Sequence, residues 1–160
     1  MYAEPSSAVI RRPTEQDLDS LAELVYRFYV FNEEFDPSWA TPQNLREQAA
    51  RRAAELLKSE DSVVLVAAKA NTIVGYVVGT IEENPLVKVR RILVLREIYV
   101  RPQERRQGIA TQLVNKALEE ARKLKASHVA VEFPAGNRIA EELYLKMGFR
   151  PYLVRLIKEV

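Results

Sequence analysis

The sequence predicts a mixed α/β sheet whose first strands are antiparallel and whose later strands are parallel. Two apolar, β-branched runs at 62–69 and 73–81 are separated by a short turn, which is typical of an antiparallel hairpin. An amphipathic stretch at 109–124 then separates an apolar run ending at residue 100 from another at 127–133. A strand, a helix and a further strand in that order predict a parallel crossover.

The first sixty residues predict one short strand followed by two helices. Residues 9–12 are compatible with a strand, and Thr14 to Asp17 resembles a capping box with Asp in place of Glu. Apolar residues then recur at helical spacing across 18–28. The acidic and aromatic stretch 32–40 predicts a loop. A second helix is predicted over 41–58, with Pro42 at its first helical position.

The remainder of the chain predicts four strands after the first hairpin strand, with two helices between them. Asn137 is suited to cap the second of these helices, and Gly148 to end it after Met147. In order, the predicted elements are the strands at 73–81 and 91–100, the helix at 109–124, the strand at 127–133, the helix at 137–147 and a final strand at 149–157.

Length and composition indicate an ordinary globular protein. A chain of 160 residues with 48% apolar and 29% charged residues predicts one domain, residues 1–160, with a real core. The net charge of +2 is too balanced for general binding to nucleic acid or membrane surfaces. Residues 1–5 lack a targeting pattern, and the longest apolar run, 63–68, is too short to cross a bilayer. We therefore expect a cytoplasmic protein.

Cysteine and histidine usage narrows the chemistry further. The absence of cysteine excludes disulfides, a thiol nucleophile and cysteine metal ligands. The single histidine, His128, lies at a predicted strand start and is expected to be an ordinary surface residue. No metal site is therefore predicted.

The segment from Glu97 to Ala110 carries the strongest functional signal. An apolar strand ends at Pro102, and a basic loop with a single glycine, Gly108, opens a helix directly. A helix N-terminus carries partial positive charge and favours acidic side chains, yet Arg101, Arg105 and Arg106 surround this one. An anion bound to the free amides would relieve that repulsion. The pattern predicts a polyphosphate site at residues 105–111.

The two commonest phosphate-binding motifs are absent. A phosphate loop of the Walker type needs a Gly-Lys-Ser/Thr ending, which the chain lacks. A Rossmann fingerprint needs two glycines separated by one residue, and the five glycines, at 75, 79, 108, 136 and 148, do not provide it. A site made of backbone amides and one close-approach glycine remains.

These residues resemble the GNAT superfamily of N-acetyltransferases. Arg105-x-x-Gly108-x-Ala110 is similar to the family's acetyl-CoA pyrophosphate loop, and Asn137 followed by Tyr144 and Gly148-Phe149 is similar to its second block. The opening, Ile10 to Asp17, also resembles that of the family. The resemblance covers roughly residues 8–152. It implies a mixed sheet with helices on both faces, and transfer of an acetyl group from acetyl-CoA to an amine by direct attack.

The resemblance also implies a role for individual residues. Glu97 matches a general base that removes a proton from the amine, and Tyr144 matches a general acid near the sulfur of CoA. The backbone of Ile98, Tyr99 and Val100 would pair with the pantetheine arm. The remaining cofactor contacts would come from the pyrophosphate loop and the second block: Arg105, Arg106, Gln107, Gly108, Ile109, Ala110, Thr111 and Asn137.

Several alternatives stay open from the sequence. Glu97 is also compatible with a structural ion pair to Arg96 or Arg101, and Glu132 is a reserve candidate for the base. The acceptor is either a small amine or a protein N-terminus or lysine. A non-catalytic acyl-CoA sensor would use the same loop without needing Glu97 and Tyr144. The apolar strand at 149–157 is suited to pairing with a second chain, which makes a homodimer possible.

Overall fold

The computed structural model describes residues 8–160; the segment 1–5, for which no targeting pattern is expected, lies outside them. The strands are β1 Val9–Arg11, β2 Ser62–Lys69, β3 Thr72–Glu83, β4 Arg91–Val100 and β5 His128–Val131. The helices are α1 Leu18–Asn32, α2 Leu45–Lys58, α3 Ile109–Lys123 and α4 Arg138–Lys146. No helix in residues 8–160 is both long and apolar enough to cross a membrane.

The five strands form one sheet in the order β1-β2-β3-β4-β5. The pairs β1–β2, β2–β3 and β3–β4 are antiparallel, and the pair β4–β5 is parallel. The predicted crossover over 92–133 is therefore confirmed, with α3 as its helix. It follows that β1 and β5 are the two edges of the sheet.

Helices cover both faces of the sheet, so each face has its own apolar core. On one face α1 and α2 pack against residues such as Val66 and Tyr76. On the other face α3 and α4 pack against residues such as Leu93 and Leu95. Side chains alternate between the two faces of the sheet along a strand. Because a core covers each face, consecutive apolar residues of β2 and β3 are buried.

Local capping signals fix the start of the helical segment that leads into α1 and both ends of α4. The Thr14 amide donates to the Asp17 carboxylate at 2.7 Å, which confirms the capping box. The Asn137 side chain accepts from the Ala140 amide at 3.2 Å. At the end of α4, Gly148 is left-handed with φ 93°, and the amide of Phe149 donates to the Tyr144 carbonyl. This is a Schellman motif, in which only glycine takes the left-handed position without strain.

Two sequence predictions about elements are wrong. The second helix begins at Leu45 rather than at Pro42, whose carbonyl instead accepts from the Leu45 amide in a turn. The final strand predicted at 149–157 is not formed, and residues 150–160 are exposed and pair with no strand. A strand needs a partner edge as well as an apolar pattern, and this segment pairs with no edge formed by residues 8–160.

Candidate active site

The connection between β4 and α3 is a tight loop that ends in a left-handed glycine. A single 3-10 turn occupies Pro102–Glu104, and then Arg106 and Gly108 have φ values of 64° and 77°. A Cβ added to Gly108 would meet no atom within 4 Å. The backbone conformation, rather than crowding within the chain, therefore favours glycine here.

The first turn of α3 presents unused backbone donors. Gly108 supplies no side-chain cap, and no acidic residue lies in this turn. The amide of Gln112 donates to the Gly108 carbonyl at 3.0 Å, which is the start of the helical ladder. The preceding amides, of Ile109, Ala110 and Thr111, have no intrahelical acceptor because of helix geometry. These unused donors lie at the position where the sequence predicts an anion site.

Arg105 takes a different position from Arg106. Its Nε donates to the Val100 carbonyl at 3.1 Å, and its guanidinium lies 5.1 Å and 5.5 Å from the ring centroids of Phe31 and Tyr99. Cation–π contacts of this kind fix the start of the loop against α1. Both arginines are exposed. Because Arg105 already contacts the Val100 carbonyl and the two rings, Arg106 is the one of the two whose side chain is freer to meet an anion.

The loop is also held from β2 by Lys69, a residue that sequence reasoning missed. Its Nζ donates to the Glu104 carboxylate at 2.7 Å and to the Gln107 side-chain oxygen at 2.8 Å. The partners are 35 and 38 residues away along the chain, so no local pattern indicates the contact. Gln107 thus has a structural contact besides its predicted place in the cofactor loop.

A β-bulge in β4 opens one edge of the sheet beside this loop. Val78 opposes Glu97 whereas Gly79 opposes Leu95, so Arg96 is an extra residue on β4. The pairing of β4 with β5 ends close by, at Leu95 opposite Val131. Beyond the bulge, the predicted pantetheine-pairing residues 98–100 bond to β3 on one edge and leave the other edge unpaired within the described residues.

The bulge also decides which face Glu97 occupies. Leu95 before it and Val100 after it both pack in the α3 core, although they are an odd number of residues apart. The extra residue therefore shifts the alternation, and Glu97 projects with Tyr99 toward α1 and α2. The apolar strand β4 therefore places the Glu97 carboxylate beside the aromatic and aliphatic side chains of the α1–α2 core.

Glu97 is buried and ion-paired. It is 3% exposed, and its carboxylate accepts from the Arg52 guanidinium at 2.6 Å and from the Tyr76 hydroxyl at 3.1 Å. The expectation of an ion pair holds, but the predicted partners were wrong, because Arg52 comes from α2 rather than from β4 or the loop. Burial, followed by the Glu97 charge, raises the pKa of Tyr76 and Tyr29. Both phenols therefore stay protonated at neutral pH.

Glu132, the reserve candidate, lies at the end of β5 in a different environment. Both of its carboxylate oxygens accept from one Arg96 nitrogen, at 3.1 Å and 3.0 Å, and Arg96 also pairs with Glu82. Its side chain is 40% exposed. Arg96, the bulge residue, thus connects β3 to the end of β5 at the point where β4 and β5 separate.

Tyr144 lies on α4 in the α3-side core. Its ring packs 5.6 Å from that of Phe133 and 5.7 Å from that of Phe149, measured between centroids. Burial raises the pKa of its phenol, which is therefore protonated at neutral pH. The side chain belongs to the α3-side packing layer and Glu97 to the opposite one, so the structure does not bring the two into direct contact. Asn137 caps the same helix.

The comparisons with known proteins agree with this architecture. A model of the acetyltransferase (GNAT) family matches residues 18–149. The chain is 29% identical over 140 residues to an uncharacterized N-acetyltransferase of Methanocaldococcus jannaschii, an alignment covering 88% of this chain and 59% of that protein. The chain thus spans about three fifths of that relative's length.

Solved structures share the fold at low sequence identity. An aminoglycoside N-acetyltransferase in complex with CoA aligns with a TM-score of 0.76 at 16% identity, covering 100% of this chain and 99% of that one. A ribosomal-protein-alanine N-acetyltransferase from Brucella melitensis aligns with a TM-score of 0.76 at 19% identity, covering 96% and 100%.

The mixed five-stranded sheet with helices on both faces is the fold of these acetyltransferase structures. The chain belongs to the acetyltransferase (GNAT) family, whose model matches most of its length. The resemblance predicted from Arg105, Gly108 and the second block is thereby confirmed. The roles of individual residues remain predictions.

Proposed function

We propose that this chain transfers an acetyl group from acetyl-CoA to a primary amine. One observation carries the proposal: the unused amides at the start of α3 lie directly after the unpaired edge of β4. The first suits a pyrophosphate and the second suits an extended amide-containing arm, and CoA contains both of these groups. A fold neighbour was solved with CoA, which supports the same ligand here.

The reaction requires a neutral amine, because an ammonium group has no lone pair with which to attack. A lysine-type amine has a pKa near 10.4 in water and is mostly protonated at neutral pH. We assign the removal of its proton to Glu97. Each carboxylate oxygen has one more lone pair than its contact with Arg52 or Tyr76 uses, so a bridging water has a place to bind.

The amine nitrogen then attacks the thioester carbonyl carbon, and the carbon–sulfur bond breaks as the new amide forms. The departing thiolate takes up a proton. We assign that proton to the Tyr144 hydroxyl, which burial keeps protonated. Its contribution is expected to be modest, since a thiol with a pKa near 8.5 is already a fair leaving group.

The acceptor is an amine of one of two kinds. Fold neighbours include an aminoglycoside N-acetyltransferase and a ribosomal-protein-alanine N-acetyltransferase, which represent the small-molecule and the protein acceptor. The proposal covers residues 1–160 as a single domain located in the cytoplasm. It includes no metal.

A non-catalytic acyl-CoA sensor is the second candidate. The observation in its favour is the ion pair of Glu97, which leaves that carboxylate buried and occupied. A sensor would bind CoA as tightly as an enzyme but would release no CoA from acetyl-CoA. Turnover therefore separates the two candidates, and binding does not.

The test combines CoA binding by calorimetry with CoA release from acetyl-CoA against polyamines, amino acids and short peptides. Turnover with one amine class supports the enzyme and identifies the acceptor class. Tight binding without turnover on any amine favours the sensor. Absence of CoA binding contradicts both.

Two glycine variants locate the site. We expect Gly108→Ala to weaken CoA binding about tenfold or more, since the added methyl lies where backbone must approach phosphate. Gly136→Ala is the matched control, because Gly136 is also left-handed, with φ 99°, and a Cβ there also meets no atom within 4 Å. Equal loss of affinity in both variants would contradict the assignment of the loop.

A further inference from the structure

The Arg52 guanidinium is the part of the Glu97 ion pair that solvent reaches. The Arg52 side chain is 39% exposed, whereas that of Glu97 is 4% exposed. Arg52 lies near the middle of α2 and Glu97 lies on β4, so the pair joins a helix to the sheet that it covers. An acceptor that enters from solvent on this face therefore meets Arg52 before it meets the carboxylate proposed as the base.

Most of the hydrogen-bonding capacity of Arg52 is unused. A guanidinium carries five N–H donors. Within residues 8–160, the one side-chain hydrogen bond of Arg52 runs from Nη2 to the Glu97 carboxylate, at 2.6 Å. The N–H groups of a guanidinium form a rigid planar fork, which matches a carboxylate with two parallel hydrogen bonds. The free donors of Arg52 are therefore suited to a carboxylate that comes from outside the chain.

The charge of the pair favours an acceptor that is itself neutral overall. Arg52 and Glu97 together carry no net charge, and the pair is partly buried, so water and salt screen additional charges there only weakly. An acceptor that brings only an ammonium group would leave an unbalanced positive charge beside Arg52. An acceptor that brings a carboxylate next to its ammonium group gives each of the four charges an opposite neighbour. Polyamines fit the first description, and amino acids fit the second.

The spacing of the pair favours an acceptor whose own charges are close together. Because the two side chains are in direct contact at 2.6 Å, a ligand that touches both must hold its charged groups a few bonds apart. In an α-amino acid the amine nitrogen and the carboxylate carbon are bonded to the same carbon. In a peptide N-terminus the corresponding carboxyl group is part of an amide and carries no charge.

Tyr29 of α1 provides a further hydrogen-bond donor beside the pair. Burial, followed by the charge of Glu97, raises the pKa of its phenol, and the charge of Arg52 offsets part of that rise. The Tyr29 hydroxyl is therefore within range of both charges and is protonated at neutral pH. A protonated phenol donates readily to a carboxylate oxygen.

We propose that the acceptor is a free α-amino acid whose carboxylate binds the Arg52 guanidinium while its amine faces Glu97. The inference rests on the proposed acetyl transfer and narrows its acceptor. The incoming carboxylate competes with Glu97 for the same guanidinium. As Arg52 turns toward the ligand, Glu97 gains a lone pair that is free to accept the amine proton.

The proton balance follows the two protons that the ammonium group loses. One passes to Glu97, which frees the lone pair of the nitrogen for attack on the thioester carbonyl carbon. As the carbon–sulfur bond breaks, the second passes from the new amide nitrogen to the sulfur by way of the Tyr144 hydroxyl. The products are an N-acetylamino acid and CoA, and Glu97 returns its proton to water.

The first test compares each proteinogenic amino acid with its own C-terminal amide. The amide keeps the amine and the side chain but has no carboxylate. CoA release at saturating acetyl-CoA gives kcat/KM for both members of each pair. We expect the best amino acid to exceed its amide by about tenfold or more, the effect of one lost charge-assisted contact. Amides or polyamines that react as well as the amino acids would overturn this inference and leave the acetyltransferase intact.

The second test substitutes the residue that is assigned to the carboxylate. If Arg52 has only a structural role, Arg52→Met lowers turnover of an amino acid and of its amide alike. We expect instead that the ratio of their kcat/KM values falls about tenfold or more, toward one. Arg51→Met is the matched control, because Arg51 is the neighbouring residue of α2 and pairs with Glu47 at the surface. An unchanged ratio in Arg52→Met would overturn the assignment.

A binding measurement on the unsubstituted chain depends neither on turnover nor on a variant that folds. Calorimetry in millimolar CoA compares the affinities of the same amino acids and amides. We expect at least one amino acid to bind, with its amide about tenfold weaker or more. Such binding without turnover on any amine would support the carboxylate site and contradict the proposed acetyl transfer. Absence of binding by every amino acid would overturn the carboxylate site.

Discussion

Glu97 is a residue whose burial and whose proposed chemistry impose opposite requirements. A general base must accept a proton, yet both oxygens of the Glu97 carboxylate already accept hydrogen bonds, one from the Arg52 guanidinium and one from the Tyr76 hydroxyl. The same contacts occupy the carboxylate and shield it from the acceptor. A base of this kind works through a water, or through a small displacement of Arg52, whose side chain is 39% exposed and can move into solvent.

Substitution of the two candidate bases separates their roles. We expect Glu97→Gln to lower kcat/KM by about 10²–10⁴-fold, the usual contribution of a general base, while the affinity for CoA stays unchanged. Glu132→Gln is the control, because Glu132 also pairs with one arginine but is far more exposed; we expect a change of only a few fold. Steady-state kinetics with the best amine provide the measurement. A larger loss for Glu132→Gln would transfer the base to β5.

The Arg11–Asp17 pair predicts a pH-dependent contribution to stability. The hydrogen bonds from Arg11, and next the Thr14 amide, hold the pKa of Asp17 below its usual value. The contribution is therefore full above the unfolded pKa, near 3.9, and is lost as pH falls through the lower folded value. We expect Asp17→Asn to reduce the free energy of unfolding by about 1–2 kcal/mol at neutral pH.

Urea unfolding at a series of pH values measures this difference. The curves for the unsubstituted chain and for Asp17→Asn should converge at acid pH, because protonated Asp17 no longer attracts Arg11. A difference of constant size across the acid range would show that the charge of Asp17 does not stabilise the fold.

At the scale of elements, the loop that opens α3 depends on a contact from the β2–β3 hairpin. Lys69 joins Glu104 and Gln107, so it orders the loop before any ligand binds. We expect Lys69→Met to weaken CoA binding about three- to tenfold, since the ligand must then order the loop itself. Calorimetry measures the affinity. Lys116→Met, which removes an exposed ion pair on the surface of α3, is the control; equal effects of the two would contradict this role.

The elements also show which parts of the structure are predictable from sequence. The capping box at Thr14, the cap at Asn137 and the stop at Gly148 are correct because each depends on residues no more than five positions apart. The pairing of Arg52 with Glu97 spans 45 residues and has no local signal. The bulge at Arg96 is likewise set by pairing with β3. An apolar pattern therefore predicts burial, but the partner that provides it is a property of the fold.

The missing strand at 149–157 has the same explanation. Its apolar residues predict a buried strand, and the same residues are exposed in the structure because no edge reaches them. The pattern describes what the segment requires rather than what one chain provides.

For the whole molecule, the two faces of the sheet divide the proposed work. The α1–α2 face holds Glu97 and Arg52 and is suited to the amine, whereas the α3–α4 face holds Tyr144 and the start of α3. Between these two faces, the pairing of β4 with β5 ends at Leu95 opposite Val131, which leaves an opening in the sheet. Because the bulge creates this opening, a single inserted residue positions both halves of the site.

Hydrogen exchange tests this arrangement without a substitution. CoA at a hundredfold excess over its Kd should stabilise the folded chain by about 2.7 kcal/mol. We expect the added protection to concentrate at residues 109–111 and at those amides of residues 98–100 that face away from β3, because these amides have no partner among the described residues of the ligand-free fold. Residues 92–95, which β5 already pairs, provide the internal control. Protection confined to global unfolding, with no local excess at 98–100, would show that the arm of CoA does not lie along the open edge of β4.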